Sequence, residues 1–286
     1  MTMRRRRKPL LEPATLSEFD GVRYLHLGTP WVQGAMRIRK PAAIELEYVQ
    51  RMLVWLLLRA ESEPDAAADA WADVRALQLG LGAATITRFC HRLGIATTAV
   101  EINRSVIEAC RLWFALPPDG ERLQVVEADA AEFAADPRNR RSADVLCVDL
   151  YDQDAASPVL DSEDFYRDCA ALLGDDGVMT VNLFGRDASF ERSAERIAAA
   201  FAPGRVMCLR PTREGNTIVI ALRSADWPTA EVLARRAAAV EDATGLPARK
   251  WLRMLRVLPL PAQSAQTIAD GAATGAAATR RGRTDR

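Results

Sequence analysis

Hydrophobic residues along the chain follow two spacings in turn, and their alternation predicts the fold. Short strand-like runs, some apolar throughout such as 145–148, suit a parallel sheet that is covered on both faces. They predict strands at residues 75–80, 97–101, 123–127, 145–149 and 177–182. Apolar residues at helical spacing between these runs predict helices at residues 84–93, 105–114 and 162–173. Such alternation predicts an α/β protein with a doubly wound, mostly parallel sheet of the Rossmann type.

The pattern changes before this segment. Short β signals over residues 23–39, broken by glycine and proline, predict one or two hairpins. A helix is expected after Pro41, because Val49 and Met52 belong to an apolar stripe at helical spacing. Residues 62–73 are polar and weakly patterned, which predicts a loop or frayed helix.

The pattern also changes after the fifth predicted strand. A further helix after Ser189 precedes two strands, at 205–209 and 217–222, and a last helix at 229–242. We expect the two strands to pair as an antiparallel hairpin at the sheet edge. The chain then divides into a disordered basic N-terminus (1–15), a small β-hairpin and helix region (16–60), a Rossmann-like domain (74–260) and a disordered tail (261–286).

Composition narrows the function classes. An apolar fraction of 49% over 286 residues provides for a sizeable core, and 38 basic residues balance 38 acidic ones. No bulk charge therefore favours nucleic acid or a membrane surface as partner. The apolar run 53–58 is far shorter than the ~20 residues of a membrane span, and no apolar segment follows the basic run 4–8 as in a signal peptide. We expect a cytoplasmic protein.

The five cysteines are widely spaced, with neither a Cys-x-x-Cys pair nor a histidine cluster beside them. This spacing predicts buried, reduced thiols, and it predicts no metal site and no disulfide framework.

A glycine turn and an acid point to a nucleoside. Gly80 and Gly82 lie between a predicted strand and helix, where they let the chain fold back and a ligand approach. Thr85 replaces the third glycine of a dinucleotide fingerprint, which counts against NAD. Glu101 ends the next strand, where an acid can bind both ribose hydroxyls, although an ordinary exposed glutamate would look the same.

Further acids follow the next two strands. The Asp129 carboxylate can accept the amine of an adenine while the N–H of Ala130 meets a ring nitrogen, but taken alone Asp129 is better explained as a helix N-cap. Asp149 closes an apolar strand at the edge where ligands bind, so partial desolvation would suit it as a general base toward an amine. The alternative is that Asp149 and Asp152 are solvated acids of an acidic loop.

The order and spacing of these motifs resemble the spermidine synthase family over most of residues 22–222. The matching segments read WVQG at 31–34, VEIN at 100–103, EADA at 127–130, DVLCVDLYD at 144–152, DFY at 164–166, GVMTVN at 177–182 and GNTIVI at 215–220. The resemblance implies a class I methyltransferase-like Rossmann fold and a homodimer. It also implies aminopropyl transfer from decarboxylated S-adenosylmethionine to a small amine acceptor, without a metal.

The resemblance also implies roles for the residues. Those that would hold the nucleoside donor are Gln33, Glu101, Asp129 and Ala130. Asp149 would deprotonate the attacking amine, and Asp152 would help to hold the substrate. Because an alkylammonium has a pKa of about 10, only a nearby base makes its nitrogen a nucleophile at neutral pH.

Two positions depart from the family pattern. Ala83 stands where the family has an aspartate that binds the ammonium of the donor. If Met52 matches a methionine of the family's N-terminal helix, Arg51 replaces a glutamate that binds the amine acceptor. We therefore predict weak or absent putrescine turnover and an acceptor with an anionic or neutral far end. An Arg51 that turns outward into solvent is the alternative.

Two other functions remain open at this point. A methyltransferase that uses intact S-adenosylmethionine needs no aspartate at position 83. A nucleoside-binding protein without catalysis would explain the altered amine site, but the retained Asp149 opposes it.

Overall fold

The computed structural model describes residues 11–59, 71, 73–151, 160–184, 188–223 and 226–258. The expectations for residues 1–10, for nearly all of 62–73 and for the tail 261–286 lie outside these residues. The predicted disordered segment 1–15 extends too far, because the first strand already begins at Ala14.

The described residues form eleven strands and eight α-helices. The strands are β1 (Ala14–Phe19), β2 (Val22–Leu27), β3 (Gly34–Arg37), β4 (Arg75–Leu79), β5 (Ala96–Glu101), β6 (Leu123–Glu127), β7 (Ala143–Val148), β8 (Leu173–Phe184), β9 (Val206–Leu209), β10 (Asn216–Leu222) and β11 (Leu255–Val257). The helices are α1 (Glu47–Met52), α2 (Thr85–Arg92), α3 (Arg104–Trp113), α4 (Ala130–Ala135), α5 (Glu163–Leu172), α6 (Ala188–Ala200), α7 (Ala230–Thr244) and α8 (Ala248–Met254).

Eight strands form the main sheet in the order β11-β9-β10-β8-β7-β4-β5-β6. The five strands from β8 to β6 are parallel, and β10 lies antiparallel between β8 and β9. The predicted doubly wound α/β sheet is therefore confirmed, as is the antiparallel β9–β10 hairpin. The hairpin is not the outermost element, because β11 pairs with β9 beyond it.

Each face of the main sheet buries its own hydrophobic core. On β7, Val145 and Cys147 point to the face that α1, α2, α7 and α8 cover, whereas Leu146 and Val148 point to the face of α4, α5 and α6. A strand with two buried faces must be apolar at every position, which explains why the run was recognisable in the sequence.

A separate three-stranded antiparallel sheet, β1-β2-β3, covers the glycine turn after β4. Its buried residues Leu25 and Met36 share a core with Leu81 of the turn. A Cβ added to Gly34 would lie 2.5 Å from the Cβ of Ala83, so the two segments approach as closely as small residues permit. The predicted hairpins are present: β1 and β2 form one, and β2 and β3 form a second that shares the middle strand.

The helix predicted after Pro41 begins several residues after that proline, and it ends before its apolar stripe does. It starts at Glu47, and from Leu53 to Leu57 the chain continues as a 3-10 helix whose residues are all buried. A segment that is buried on every side has no single apolar stripe, so the spacing of its apolar residues does not show where the helix ends or which side faces the core. The short elements α4, α8 and β11 were not predicted.

No helix within the described ranges is long and apolar enough to cross a membrane.

Candidate functional site

A cavity of about 620 Å³ lies at the carboxyl ends of the parallel strands, and both sheets line it. The cavity residues that the sequence singled out are Gln33, Gly80, Gly82, Glu101, Asp129, Ala130 and Asp149. They come from the small sheet and from the loops after β4, β5, β6 and β7, and the fold brings them together. Asp152 lies outside the described residues.

Gly80 connects the glycine turn to the end of β7. Its φ is +88°, and a Cβ added there would lie 2.2 Å from the carbonyl oxygen of Asp149. The N–H of Asp149 in turn donates to the carbonyl of Leu79 at 3.0 Å. Only glycine lets the chain at Asp149 lie this close to the turn.

Glu101 is held by the backbone on both oxygens. Its Oε2 accepts the N–H of Leu81 at 3.0 Å, and its Oε1 accepts the N–H of Asn103 at 2.8 Å. Burial raises the pKa of Glu101, while these N–H donors act to lower it. The carboxylate is thus fixed in orientation and keeps lone pairs for a pair of ligand hydroxyls.

Asp129 is the N-cap of α4, which is the alternative to adenine binding that the sequence left open. The N–H groups of Ala131 and Glu132 both donate to Oδ1, at 2.7 and 3.2 Å. Oδ2 therefore keeps its lone pairs for a ligand amine in the cavity. The N–H of Ala130 belongs to the first turn of the helix, where N–H groups lack intrahelical partners. Capping and ligand binding are compatible here.

Asp149 lies at the end of β7, partly buried and open to the cavity. Asn182 Nδ2 donates to its Oδ1 at 2.9 Å, and the Tyr48 side chain faces the same carboxylate. Burial raises the pKa of Asp149, while the interactions with Asn182 and Tyr48 act to lower it. Burial followed by the charge of Asp149 raises the pKa of Tyr48 well above its ordinary value, so Tyr48 is a neutral donor.

A chain of side-chain amides continues from this carboxylate. Asn216 Nδ2 donates to Asn182 Oδ1 at 3.0 Å, and Thr212 Oγ1 donates to Asn216 Oδ1 at 3.5 Å. The Tyr151 hydroxyl donates to the carbonyl of Asn182 at 2.8 Å. The network links the ends of β7 and β8 to the turn between β9 and β10.

Sequence reasoning selected none of these supporting residues. Asn182 lies near the end of an apolar strand, so the rule that singled out Asp149 would also have found it. Tyr48 reaches Asp149 from α1, a contact that only the packing of that short helix creates.

Arg51 does not line the cavity. Its side chain is 7% exposed, and its guanidinium donates to the carbonyl of Arg210 and, at 2.6 Å, to Glu47. The prediction that Arg51 faces the acceptor is wrong, and so is the alternative of a solvated Arg51. Matching the family through Met52 left out Tyr48, the helix residue that does reach the base. The argument for an anionic or neutral acceptor loses its basis.

Ala83 also lies away from the cavity surface. Its side chain is buried against Gly34 of the small sheet, not among the residues that line the pocket. Position 83 therefore contributes no side chain to the described lining of the cavity.

The cavity is strongly anionic. Its lining includes five carboxylates: Glu12, Glu101, Asp129, Asp149 and Glu214. None of the described lining residues is an arginine, lysine or histidine. Such a lining attracts cations and repels ligands that carry a carboxylate or phosphate.

The cysteines take no part in this site. All five are buried and unpaired, as predicted. In the described part of the chain, no three histidine, cysteine, aspartate or glutamate side chains are grouped as metal ligands would be.

Comparisons with known proteins bear on this site. Residues 83–226 match the family model of the spermine/spermidine synthase domain. A polyamine aminopropyltransferase of Neisseria meningitidis serogroup B is 33% identical over 244 residues, covering 84% of this chain and 88% of the relative. A polyamine aminopropyltransferase of Chromobacterium violaceum is 31% identical over 259 residues, covering 88% and 94%.

Solved structures share the fold at lower identity. A probable spermidine synthase from Corynebacterium glutamicum has a TM-score of 0.61 at 17% identity, covering 88% of this chain and 94% of its own. Human methyltransferase-like protein 13, solved with SAH, has a TM-score of 0.57 at 22% identity, covering 79% and 100%. Both confirm a methyltransferase-like Rossmann architecture.

Proposed function

The chain belongs to the spermine/spermidine synthase family and is a transferase, and we propose that it moves the aminopropyl group of decarboxylated S-adenosylmethionine onto a small amine acceptor. The observation that carries the proposal is the anionic cavity, with Asp149 at its strand-end wall and no described cation in its lining. A sulfonium donor and an ammonium acceptor are both cations, so the cavity suits both.

The donor would bind along the ends of β4, β5 and β6. Glu101 accepts the two ribose hydroxyls, Asp129 Oδ2 accepts the adenine amine, and the N–H of Ala130 donates to a ring nitrogen. Gly80 and Gly82 leave room for the nucleoside. Gln33 closes the site from the small sheet, since its carbonyl lies 3.2 Å from where a Cβ on Gly82 would be.

The charge of the lining distinguishes two donors. Intact S-adenosylmethionine carries a carboxylate, which needs charged or N–H donors when it leaves water. The described lining offers it five carboxylates and no cation. Decarboxylated S-adenosylmethionine lacks that group, so the cavity favours aminopropyl transfer over methyl transfer.

Asp149 is the proposed general base. It takes a proton from the acceptor ammonium, and the freed nitrogen lone pair attacks the aminopropyl carbon bonded to sulfur. A C–N bond forms while the C–S bond breaks, and the electron pair of the broken bond stays on sulfur. The products are methylthioadenosine and a secondary ammonium, and Asp149 releases one proton to solvent.

Tyr48 and Asn182 position this base. Asn182 donates a hydrogen bond to its carboxylate and Tyr48 stabilises its ionised form, while none of the described residues pairs a cation with it. A base with a raised pKa accepts a proton more readily than a solvated aspartate does. Such a poised base also disfavours a nucleoside-binding protein without catalysis.

Calorimetric titration tests the donor. We expect decarboxylated S-adenosylmethionine and methylthioadenosine to bind at least tenfold more tightly than intact S-adenosylmethionine. The control is Glu101→Ala, which should weaken all three ligands alike because they share the ribose. Equal or tighter binding of intact S-adenosylmethionine would favour the methyltransferase and contradict the proposal.

We also propose the homodimer that the family resemblance implies. Large apolar side chains are exposed along β1 and at the end of α3, namely Leu16, Phe19, Leu112 and Trp113. The Arg23 guanidinium, on the strand next to β1, lies over the Trp113 ring at 5.4 Å and so connects the two elements. An exposed apolar surface of this kind is typical of a protein interface.

A further inference from the structure

We propose that Glu214 determines the acceptor, by binding the distal ammonium of a diamine whose other nitrogen reacts at Asp149. The inference rests on the proposed function and adds to it the residue that recognises the far end of the acceptor. It reverses the preference for an anionic or neutral acceptor expected from Arg51.

Glu214 is an available carboxylate at the cavity surface. It lies in the turn between β9 and β10, is exposed, and lines the same cavity as Asp149. Within the described ranges no side chain or N–H group is bonded to it. Its neighbour Arg213 is also exposed but is not among the lining residues. The carboxylate is therefore free to pair with a ligand cation.

The turn that carries Glu214 is well defined. The N–H of Thr212 donates to the carbonyl of Asn216 at 2.8 Å, and the N–H of Asn216 donates back to Thr212 Oγ1 at 3.1 Å. Gly215 has a φ of +106°, and a Cβ there would lie 3.5 Å from the Phe184 ring, which also lines the cavity. Glu214 thus stands on a closed turn that rests on a cavity residue.

The same turn is connected to the base. Asn216 bonds to Asn182, and Asn182 bonds to Asp149, at 3.0 and 2.9 Å. Two buried amides therefore join the segment of Glu214 to the carboxylate of Asp149. Two carboxylates whose segments are connected by hydrogen bonds suit a ligand with a cationic nitrogen at each end.

Arg51 supports the turn from the opposite side. Its guanidinium donates to the carbonyl of Arg210, and the N–H of Arg210 donates to the carbonyl of Met254 at 2.9 Å. The cation that sequence matching placed in the acceptor pocket therefore fixes the start of the turn. It is a positioning residue and does not contact the acceptor.

Charge decides which acceptors this arrangement favours. Asp149 removes the proton from the reacting nitrogen, so the other nitrogen of a diamine keeps its charge at neutral pH. Glu214 gives that ammonium a charge-assisted hydrogen bond. An unbranched monoamine has no group for Glu214, and an amino-acid acceptor presents a carboxylate that it repels.

The test compares putrescine with pentylamine, in which a methyl group replaces the distal ammonium, using decarboxylated S-adenosylmethionine as donor. In Glu214→Gln we expect the KM for putrescine to rise about tenfold, with kcat within about twofold of the parent. The KM for pentylamine should stay unchanged. Glu231→Gln, which removes an exposed charge in the first turn of α7, is the matched control and should change neither.

An unchanged KM for putrescine in Glu214→Gln, or an equal rise for both acceptors, overturns the proposal. If the parent turns over neither acceptor, the proposed function fails, and Glu214 is then tested by binding alone. Putrescine is titrated calorimetrically into protein saturated with methylthioadenosine. Binding that weakens about tenfold in Glu214→Gln supports the role of Glu214, whereas equal or absent binding overturns it.

Discussion

At the residue scale, the chemistry depends on the surroundings of Asp149. The carboxylate is desolvated, is stabilised by the neutral side chains of Asn182 and Tyr48, and has no cationic partner among the described residues. This environment raises the proton affinity that a base needs. It also costs stability, because the ionised form has lost hydration without gaining an ion pair.

Replacing Asp149 by asparagine separates these two effects. We expect turnover to fall by about a hundredfold or more in Asp149→Asn, because general base catalysis is lost. The folded pKa of Asp149 is raised above the unfolded one, so its contribution to stability is fully present below the unfolded pKa and declines as pH rises through the folded pKa. At neutral pH, the variant should therefore melt at the same or a higher temperature. Undiminished turnover, or a loss of many degrees in Tm, would contradict the assignment.

The pH profile reports the effect of Tyr48 on the pKa of Asp149. The kcat/KM of the parent should fall as pH drops through the raised pKa of Asp149, since only the ionised base is active. Tyr48→Phe removes a donor that stabilises the ionised form, so the pKa should rise further and the acid limb should move to higher pH. The acceptor amine titrates alike in both proteins and cancels in the comparison.

Tyr166→Phe is the control for this shift. Tyr166 is buried, and the carboxylate that influences its pKa is Asp161, not the base. Its removal should leave the acid limb in place. An acid limb that stays or moves to lower pH in Tyr48→Phe would mean that Asp149 is not the titrating group.

The residues found from sequence share one property. Glu101, Asp129 and Asp149 are acids at or just beyond the ends of apolar strands, a position that the linear pattern reveals before any packing is known. Tyr48 and Glu214 reach the cavity from a short helix and from a hairpin turn, so only tertiary packing brings them to it. Arg51 was misplaced for the same reason, since it precedes a segment, Leu53–Leu57, that is buried on every side.

At the element scale, the glycine turn after β4 holds the catalytic strand end in place. Gly80→Ala introduces a Cβ at a φ of +88° and only 2.2 Å from the Asp149 carbonyl oxygen. We expect a loss of about 2–4 kcal/mol in the free energy of unfolding and a fall in turnover, because Asp149 must move. Thermal melting and a steady-state assay measure both effects.

Gly94→Ala is the matched control for this change. Gly94 has a φ of +72°, and nothing lies within 4 Å of an added Cβ. It should cost only about 1 kcal/mol, from backbone strain, with activity retained. Equal effects of the two substitutions would show that the contact between the turn and Asp149 is unimportant.

Helices and strands were predicted best where burial alone determines the pattern of apolar residues. The central parallel strands β4 and β7 are buried on both faces, and the helices α2, α3 and α5 each have one buried side, so their patterns are plain. The helix α4 has six residues and β11 three, too few for a period to show. The 3-10 segment at Leu53–Leu57 has no polar side, so its sequence does not show which residues face which neighbour.

At the scale of the whole molecule, the small sheet both covers the cavity and exposes an apolar surface. We expect light scattering to show a homodimer for the parent and a monomer for Phe19→Asp, since Phe19 is 76% exposed on that surface. The control is Val257→Asp, at a site 80% exposed on β11 at the opposite end of the main sheet, which should remain dimeric. A monomeric parent, or a dimeric Phe19→Asp, would exclude this surface as the interface.

Product analysis by mass spectrometry identifies the group that the protein transfers. The protein is incubated with putrescine and either decarboxylated or intact S-adenosylmethionine, and acceptor and nucleoside products are quantified together. We predict aminopropylated putrescine and methylthioadenosine in equal amounts from the decarboxylated donor, with no product from the intact one. Methylated acceptor from intact S-adenosylmethionine, or no transfer from a decarboxylated donor that binds, would contradict the account.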